Sequence, residues 1–265
     1  MFLQRHVPII DPVADDLTAN TKSASYKPVF GIGDKDSDIL KGIARFGELT
    51  VEPGGTSAIV NYPAEEQMYL ILEGDGMLLY DNKNIPVKKN DYMYLPVGVK
   101  HGISNSSKHP VRLLVMGYKI PAGIEIPPTP KLMMANIDDV QLERVGSHPP
   151  TTLYKLLMGT TSSKRDKLAV TKVMTSMFIM DFAPRGTNKP HQHNKAEEIY
   201  YVLRGKGAMV AGLDSNGNDL RHPCVAGDAY YYSAGTRAGF FSFSKGNDEH
   251  DIIFAVRSTD LSVPF

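Results

Sequence analysis

His191-Gln-His193-Asn-Lys-Ala-Glu-Glu198-Ile-Tyr-Tyr-Val-Leu-Arg-Gly205 sets two imidazoles two residues apart, a carboxylate five residues after the second, and a glycine at the close of a β-rich run. Strand side chains repeat every second residue, so His191 and His193 share a side. The polar break Asn194-Lys195-Ala196 lets the chain turn, bringing Glu198 in from a neighbouring strand. Two neutral nitrogens and one anionic oxygen then converge on a divalent cation. The competing reading is an exposed His-x-His hairpin with no such role. The carboxylate at this offset favours the metal.

The same stretch also exposes a repeat. Displaced by 131 residues, Gln67-Met-Tyr-Leu-Ile-Leu-Glu-Gly74 falls on Glu198-Ile-Tyr-Tyr-Val-Leu-Arg-Gly205, Pro53-Gly-Gly55 on Pro184-Arg-Gly186, and Gly76 on Gly207. Further on, the displacement becomes 137, because the second copy carries six extra residues around positions 213–219, a polar stretch that reads as a longer hairpin loop. Asn90-Asp-Tyr-Met-Tyr-Leu-Pro96-Val-Gly98 then matches Gly227-Asp-Ala-Tyr-Tyr-Tyr-Ser233-Ala-Gly235. A repeat of this length is a domain, not a solenoid unit. Ile124-Glu-Ile-Pro-Pro-Thr-Pro130 resists regular structure through its prolines and reads as a linker. The expected organisation is an N-terminal arm over residues 1–25, one domain over 26–135 and a second over 136–265.

Within each copy, short runs rich in Val, Ile, Tyr, Phe and Leu alternate with Gly, Pro, Asn and Asp, as at 46–51, 68–72, 112–118, 176–182, 208–211 and 251–256. This is all-β spacing. Residues 11–22 and 136–145 are the only stretches with any helical character, and it is weak.

The 265 residues suffice to bury a sizeable core, and 29 basic against 29 acidic residues leave no net charge. That balance, without a basic block, argues against nucleic acid or an anionic membrane as partner and leaves small molecules or proteins. Cys224 is the sole cysteine, so no intramolecular disulfide forms. With no apolar run of spanning or signal length, a cytoplasmic location is expected.

The combined pattern resembles the cupin superfamily. The first cupin motif runs Gly, about five residues, His-x-His, three or four residues, Glu, six residues, Gly; the second runs Gly, five residues, Pro-x-Gly, two residues, His, three residues, Asn. Gly186, His191, His193, Glu198 and Gly205 match the first motif, with four residues before the first His. Two copies make the chain look like a bicupin, which implies two tandem double-stranded β-helix, or jelly-roll, barrels.

Departures from the pattern are complementary in the two copies. In the second, Ser233 replaces the motif proline and Ala238 stands where the resemblance implies a fourth ligand, a histidine. In the first, Pro96-Val-Gly98-Val-Lys-His101-Gly-Ile-Ser-Asn105 keeps the second motif, while Val60, Tyr62 and Gln67 occupy the ligand positions of the first. One histidine without partners seldom holds a metal, so the first barrel is expected to be metal-free. His101 then reads as a polar residue of the barrel hydrogen-bonded to a neighbour such as Gln67, with a second small-molecule site at Gln67 and His101 as the sharper alternative.

His191, His193 and Glu198 would leave coordination positions open, as in non-haem iron oxygenases; Mn, Ni and Zn suit the same set, and the sequence does not choose among them. Parity turns Tyr200 towards the ligand side. Tyr230 and Tyr232 either wall a pocket or pack the sheet as aromatics ordinarily do. Arg237 is a candidate for an anionic substrate group, as is Lys189, although basic loop residues are usually just solvated. Glu197 points away from Glu198 and reads as a surface charge. His222 and His250 read as surface histidines, and Cys224 as a small buried apolar residue. No phosphate loop or nucleophile elbow is present.

The resemblance implies a metal-dependent enzyme, dioxygenase-, isomerase-, decarboxylase- or lyase-like, acting on a small oxygen-rich molecule, with the dioxygenase reading slightly ahead. The alternative is a non-catalytic binding or storage protein. Homo-oligomerisation is compatible with either.

Overall fold

The computed structural model describes residues 1–262 apart from 127, 128, 130 and 248, so the proline linker lies partly outside the described residues. The described chain is almost entirely β, with four short 3₁₀ turns. The two stretches of weak helical character contain such turns, at Asp16–Thr18 and Ile137–Asp139, and no α-helix. Among the described residues no helix is long and apolar enough to cross a membrane.

The chain divides into two compact units, each a pair of sheets enclosing its own apolar core. The first comprises Ile10–Asp139 with Val170–Val173. Its six-stranded sheet runs in the order Met133–Asn136, Asp91–Leu95, Glu65–Glu73, Val111–Lys119, Ile43–Val51, Ala24–Gly31. A three-stranded sheet of Lys83–Lys88, Asp75–Tyr80 and His101–Ser104 faces it across the core. The second unit comprises Met1–Ile9, Val140–Ala169 and Met174–Phe265. Its seven-stranded sheet runs Phe2–His6, Asp228–Tyr232, Ala196–Arg204, Asp251–Thr259, Met174–Phe182, Thr152–Thr160, Leu168–Thr171. The opposing sheet is His191–Gln192, Arg237–Ser242, Lys206–Leu213, Asp219–Val225. These are double-sheet jelly rolls.

The expected arm at 1–25 is split between the units. Phe2–His6 pairs antiparallel with Asp228–Tyr232, in register Phe2↔Tyr232, and so satisfies an edge of the C-terminal barrel. Met133–Asn136 makes the same pairing with Asp91–Leu95 in the other unit, Met133↔Tyr94. Each barrel therefore takes an edge strand from the segment preceding the other barrel in sequence.

The repeat is visible in fine detail. Both central strands carry a register shift at the matching place, between Ile71 and Glu73 and between Val202 and Arg204. Each then ends at a glycine with positive φ, 81° at Gly74 and 98° at Gly205. A side chain at Gly205 would collide with the Asp251 carboxylate, so both backbone angle and space require glycine there. The inserted residues do lengthen a hairpin: a two-residue turn, Asp81-Asn82, joins the first barrel's strands, whereas Asp214 caps a longer loop in the second by accepting from the amides of Asn216 and Asn218.

Candidate metal centre

His191 lies on the short strand of the four-stranded sheet and Glu198 on a central strand of the seven-stranded one, with the turn at 194–195 between them. The two sheets thus present their groups to one interior. The Nε2 atoms of His191 and His193 stand 3.0 Å apart, and His193 Nε2 is 3.9 Å from Glu198 Oε2. His191 Nδ1 bonds the carbonyl of Lys189 at 3.1 Å, and Lys189 reaches that position with a φ of 57°. A carbonyl only accepts, so Nδ1 carries the proton and Nε2 of His191 presents a lone pair. Burial pushes His193 down to about 4, with Glu198 opposing and Arg257 assisting, so its ring is neutral at physiological pH.

A cavity of about 190 Å³ adjoins these groups, lined by His148, Tyr154, Phe178, His191, His193, Tyr200 and Arg257 among others. It is smaller than a pocket for a drug-sized ligand. Tyr200 is fully buried; the side chain of Asn188 donates to its hydroxyl at 3.4 Å and accepts from the amide of Phe240 at 2.9 Å. Tyr230 and Tyr232 belong to the core beneath and do not line the cavity. Arg237 is engaged by Asp219 and also lies off the cavity, so it is not placed to meet a substrate there. Lys189 is exposed, with its side chain outside the lining.

Of the other expectations, an exposed His250 and a buried Cys224 hold, and those for Glu197, His222 and His101 need correction. Glu197 is wholly buried, because the strand face opposite Glu198 is covered as well: Ile199 and Tyr201 are buried with it, and Tyr231 donates its hydroxyl to the Glu197 carboxylate. His250 is exposed and paired with Asp181, whereas His222 is half-buried against Phe2. Cys224 is buried, which pushes its thiol up to about 12. His101 is buried too, but it bonds the carbonyl of Val99 at 2.9 Å and not Gln67, whose amide nitrogen donates to Glu65 at 2.6 Å.

Two cavity residues, Arg257 and His148, and the buried Asn188 beside them were not anticipated. Arg257, opposite Glu198 in the strand register, donates from a terminal nitrogen to Glu198 Oε1 at 2.7 Å. Burial opposes its charge, but the carboxylate outweighs burial and raises its pKa. Its buried Nε–H has no hydrogen-bond partner among the described residues. Parity was the available signal, since Ile253 and Ala255 face the core and Arg257 continues that alternation. His148 and Asn188 sit in loops, where no periodicity marks them.

A divalent ion fits the imidazoles. With nitrogens about 2.1 Å from an ion, two donors at right angles lie about 3.0 Å apart, which is the separation of the two Nε2 atoms. Among the described residues no three His, Cys, Asp or Glu side chains stand close enough to hold an ion as they are, and Arg257 supplies a reason by drawing off one oxygen of Glu198.

Comparison with known proteins agrees with this architecture. A family model described as "Cupin domain" matches residues 47–117, and one described as "Cupin" matches residues 149–262. An uncharacterised protein of Methanocaldococcus jannaschii is 33% identical over 82 residues, 31% of this chain and 66% of that protein. Oxalate oxidase GF-3.8 of Triticum aestivum is 38% identical over 93 residues, 34% of this chain and 40% of its own length. The chain thus spans less than half the length of that oxidase. A solved structure of Bacillus subtilis oxalate decarboxylase, a protein with Mn(II) centres, superposes with a TM-score of 0.70 at 13% identity, covering 97% of this chain and 77% of that one. At that identity the likeness speaks for the fold alone.

Proposed function

The chain belongs to the cupin superfamily as a tandem pair of cupin domains, and on that premise we propose that its C-terminal barrel is a divalent-metal centre at which a small carboxylate is converted. The supporting observation is one cavity lined by two imidazoles with nitrogens 3.0 Å apart and by the half-buried Arg257, with the buried Glu198 carboxylate beside it, 3.9 Å from His193 and 2.7 Å from Arg257. His191, His193 and Glu198 would hold the ion. A bound divalent ion acts as a Lewis acid on a carboxylate or carbonyl oxygen.

The remaining groups have separable roles. Arg257 neutralises Glu198 and offers its free Nε–H to an anion; an unpaired buried donor of this kind is costly without a ligand. Tyr200 accepts from Asn188, so its own O–H is left to donate to a substrate oxygen. Phe178 and Leu156 supply an apolar wall that keeps the charges strong by excluding water. The small volume favours an acid of few atoms. Oxalate is the acid named for two relatives, and it is the first substrate to try. Oxygen consumption distinguishes dioxygenase- or oxidase-like turnover from lyase-like or decarboxylase-like turnover.

Metal analysis tests the reading. Reconstituted protein should hold close to one equivalent of Mn, Fe, Ni or Zn, and His193→Ala should lose it while keeping its β-sheet circular dichroism. Less than about a tenth of an equivalent in the wild type would end the proposal, since sites of this donor type bind such ions tightly.

A further inference from the structure

The cavity holds one more imidazole than the two the motif supplies. His148 lies in the loop before the strand Thr152–Thr160, outside either motif, and its ring centre is 5.1 Å from that of His191. The ring centres of His191 and His193 are 4.8 Å apart. For rings bound to one ion through Nε2, the centres of neighbours lie about 4.6 Å apart and those of opposite ligands about 6.4 Å. Both observed spacings are nearer the first value, and the rings would have to draw together by roughly 0.2 to 0.5 Å to meet one ion.

The orientation of His148 is fixed in the same way as that of His191. Its Nδ1 bonds the backbone carbonyl of Asn188, which leaves the proton on Nδ1 and the lone pair on Nε2. Such carbonyl contacts to the distal nitrogen are what set the tautomer of metal-binding histidines. Asn188 is itself locked, wholly buried, with its side chain bonded to the amide of Phe240. Tyr154 packs against the far side of the His148 ring, with centres 5.2 Å apart. Opposite, position 238 carries alanine, buried and paired with His191 across the strands, and offers no donor.

We propose that His148 supplies the donor missing at position 238, so that the ion is held by three imidazoles, from His148, His191 and His193, and by Glu198. The inference rests on the metal reading above but concerns a different residue. The ligand set is restored from a loop at the barrel mouth.

The test uses full-length protein titrated with Mn²⁺ alone, comparing wild type, His148→Phe and His193→Ala. Phenylalanine keeps the ring that packs on Tyr154 and His191 but has no donor, so a purely structural role would leave binding unchanged. Expected is a loss of Mn²⁺ affinity in His148→Phe greater than the roughly 10- to 100-fold that removal of an orienting neighbour costs. Pulsed EPR on the Mn²⁺-loaded wild type should show nitrogen couplings from three imidazoles. Affinity within about threefold of wild type in His148→Phe, or couplings from only two imidazoles in the wild type, overturns the inference while leaving the metal reading intact. A wild type that takes up no Mn²⁺ removes both.

Discussion

The two barrels place an arginine at the same spot and use it in opposite ways. In the N-terminal barrel Arg45 comes from the strand Ile43–Val51, and its register partner is Gly117. In the C-terminal barrel Arg257 comes from the strand Asp251–Thr259, and its register partner is Ser176. Position 45 corresponds to 176 by the repeat, so in the second barrel the arginine stands on the neighbouring strand and a serine takes its place. Arg45 is consumed internally. It pairs with Asp16 at 3.1 Å and Glu65 at 3.3 Å, and its guanidinium lies 4.3 Å from the centre of the Tyr62 ring. Tyr62, at the position equivalent to His193, donates its hydroxyl to Asp16 at 2.8 Å. Side chains of the first barrel thus pair with one another around Arg45, whereas the second has a cavity lined by three histidines and Arg257. One scaffold is packed with paired charges in one half and carries a histidine-lined cavity in the other.

The comparison is broken most forcefully at Arg45. Arg45→Ala leaves Glu65 and Asp15 without their cation in a largely buried setting, and unfolding free energy should fall by about 3 kcal/mol, measured by urea titration, with metal content of the C-terminal barrel unchanged. A loss of metal in this variant would mean the two sites are not independent.

His101 gives an effect of similar size that depends on pH. Burial lowers its pKa from 6.5 to about 4. Between those values the unfolded chain takes up a proton that the folded chain refuses, so stability is full above pH 6.5 and is lost as pH falls towards 4, by up to about 3 kcal/mol. Unfolding of the metal-free protein at several pH values should show this slope in the wild type and a flatter one in His101→Gln. Equal slopes would assign the pH dependence to other groups.

A smaller effect sharpens the equivalence of the repeats. Tyr94 donates to the buried Glu66 at 3.2 Å, and Tyr231 donates to the buried Glu197 at the matching position. Tyr94→Phe and Tyr231→Phe should each cost about 1–3 kcal/mol in the same urea assay. A cost in only one of them would show that the copies differ where their sequences agree.

These pairs also show how far the sequence could be read. The barrels, their central strands and the longer hairpin were legible because alternation and turn residues are local signals, and the repeat doubled each of them. His191, His193 and Glu198 were legible because the motif places them within eight residues. Arg257 lies 59 residues beyond Glu198, and only strand pairing brings it alongside. His148 sits between Ser147 and Pro149 in a loop, where no periodicity reports direction. The burial of Glu197 depends on what covers the second face of its strand, which alternation cannot tell. The strand Phe2–His6 was read as part of an arm because its partner is more than 220 residues away.

On the proposal above, one barrel holds an ion and the other is closed by its own side chains. An anomalous-difference map from crystals grown with Mn²⁺ tests it directly. The account expects one strong peak per chain, about 2.1 Å from the Nε2 atoms of His191 and His193, and none within the N-terminal barrel. A peak beside Gln67 and His101, or no peak at His191 and His193 in Mn²⁺-saturated crystals, would contradict it.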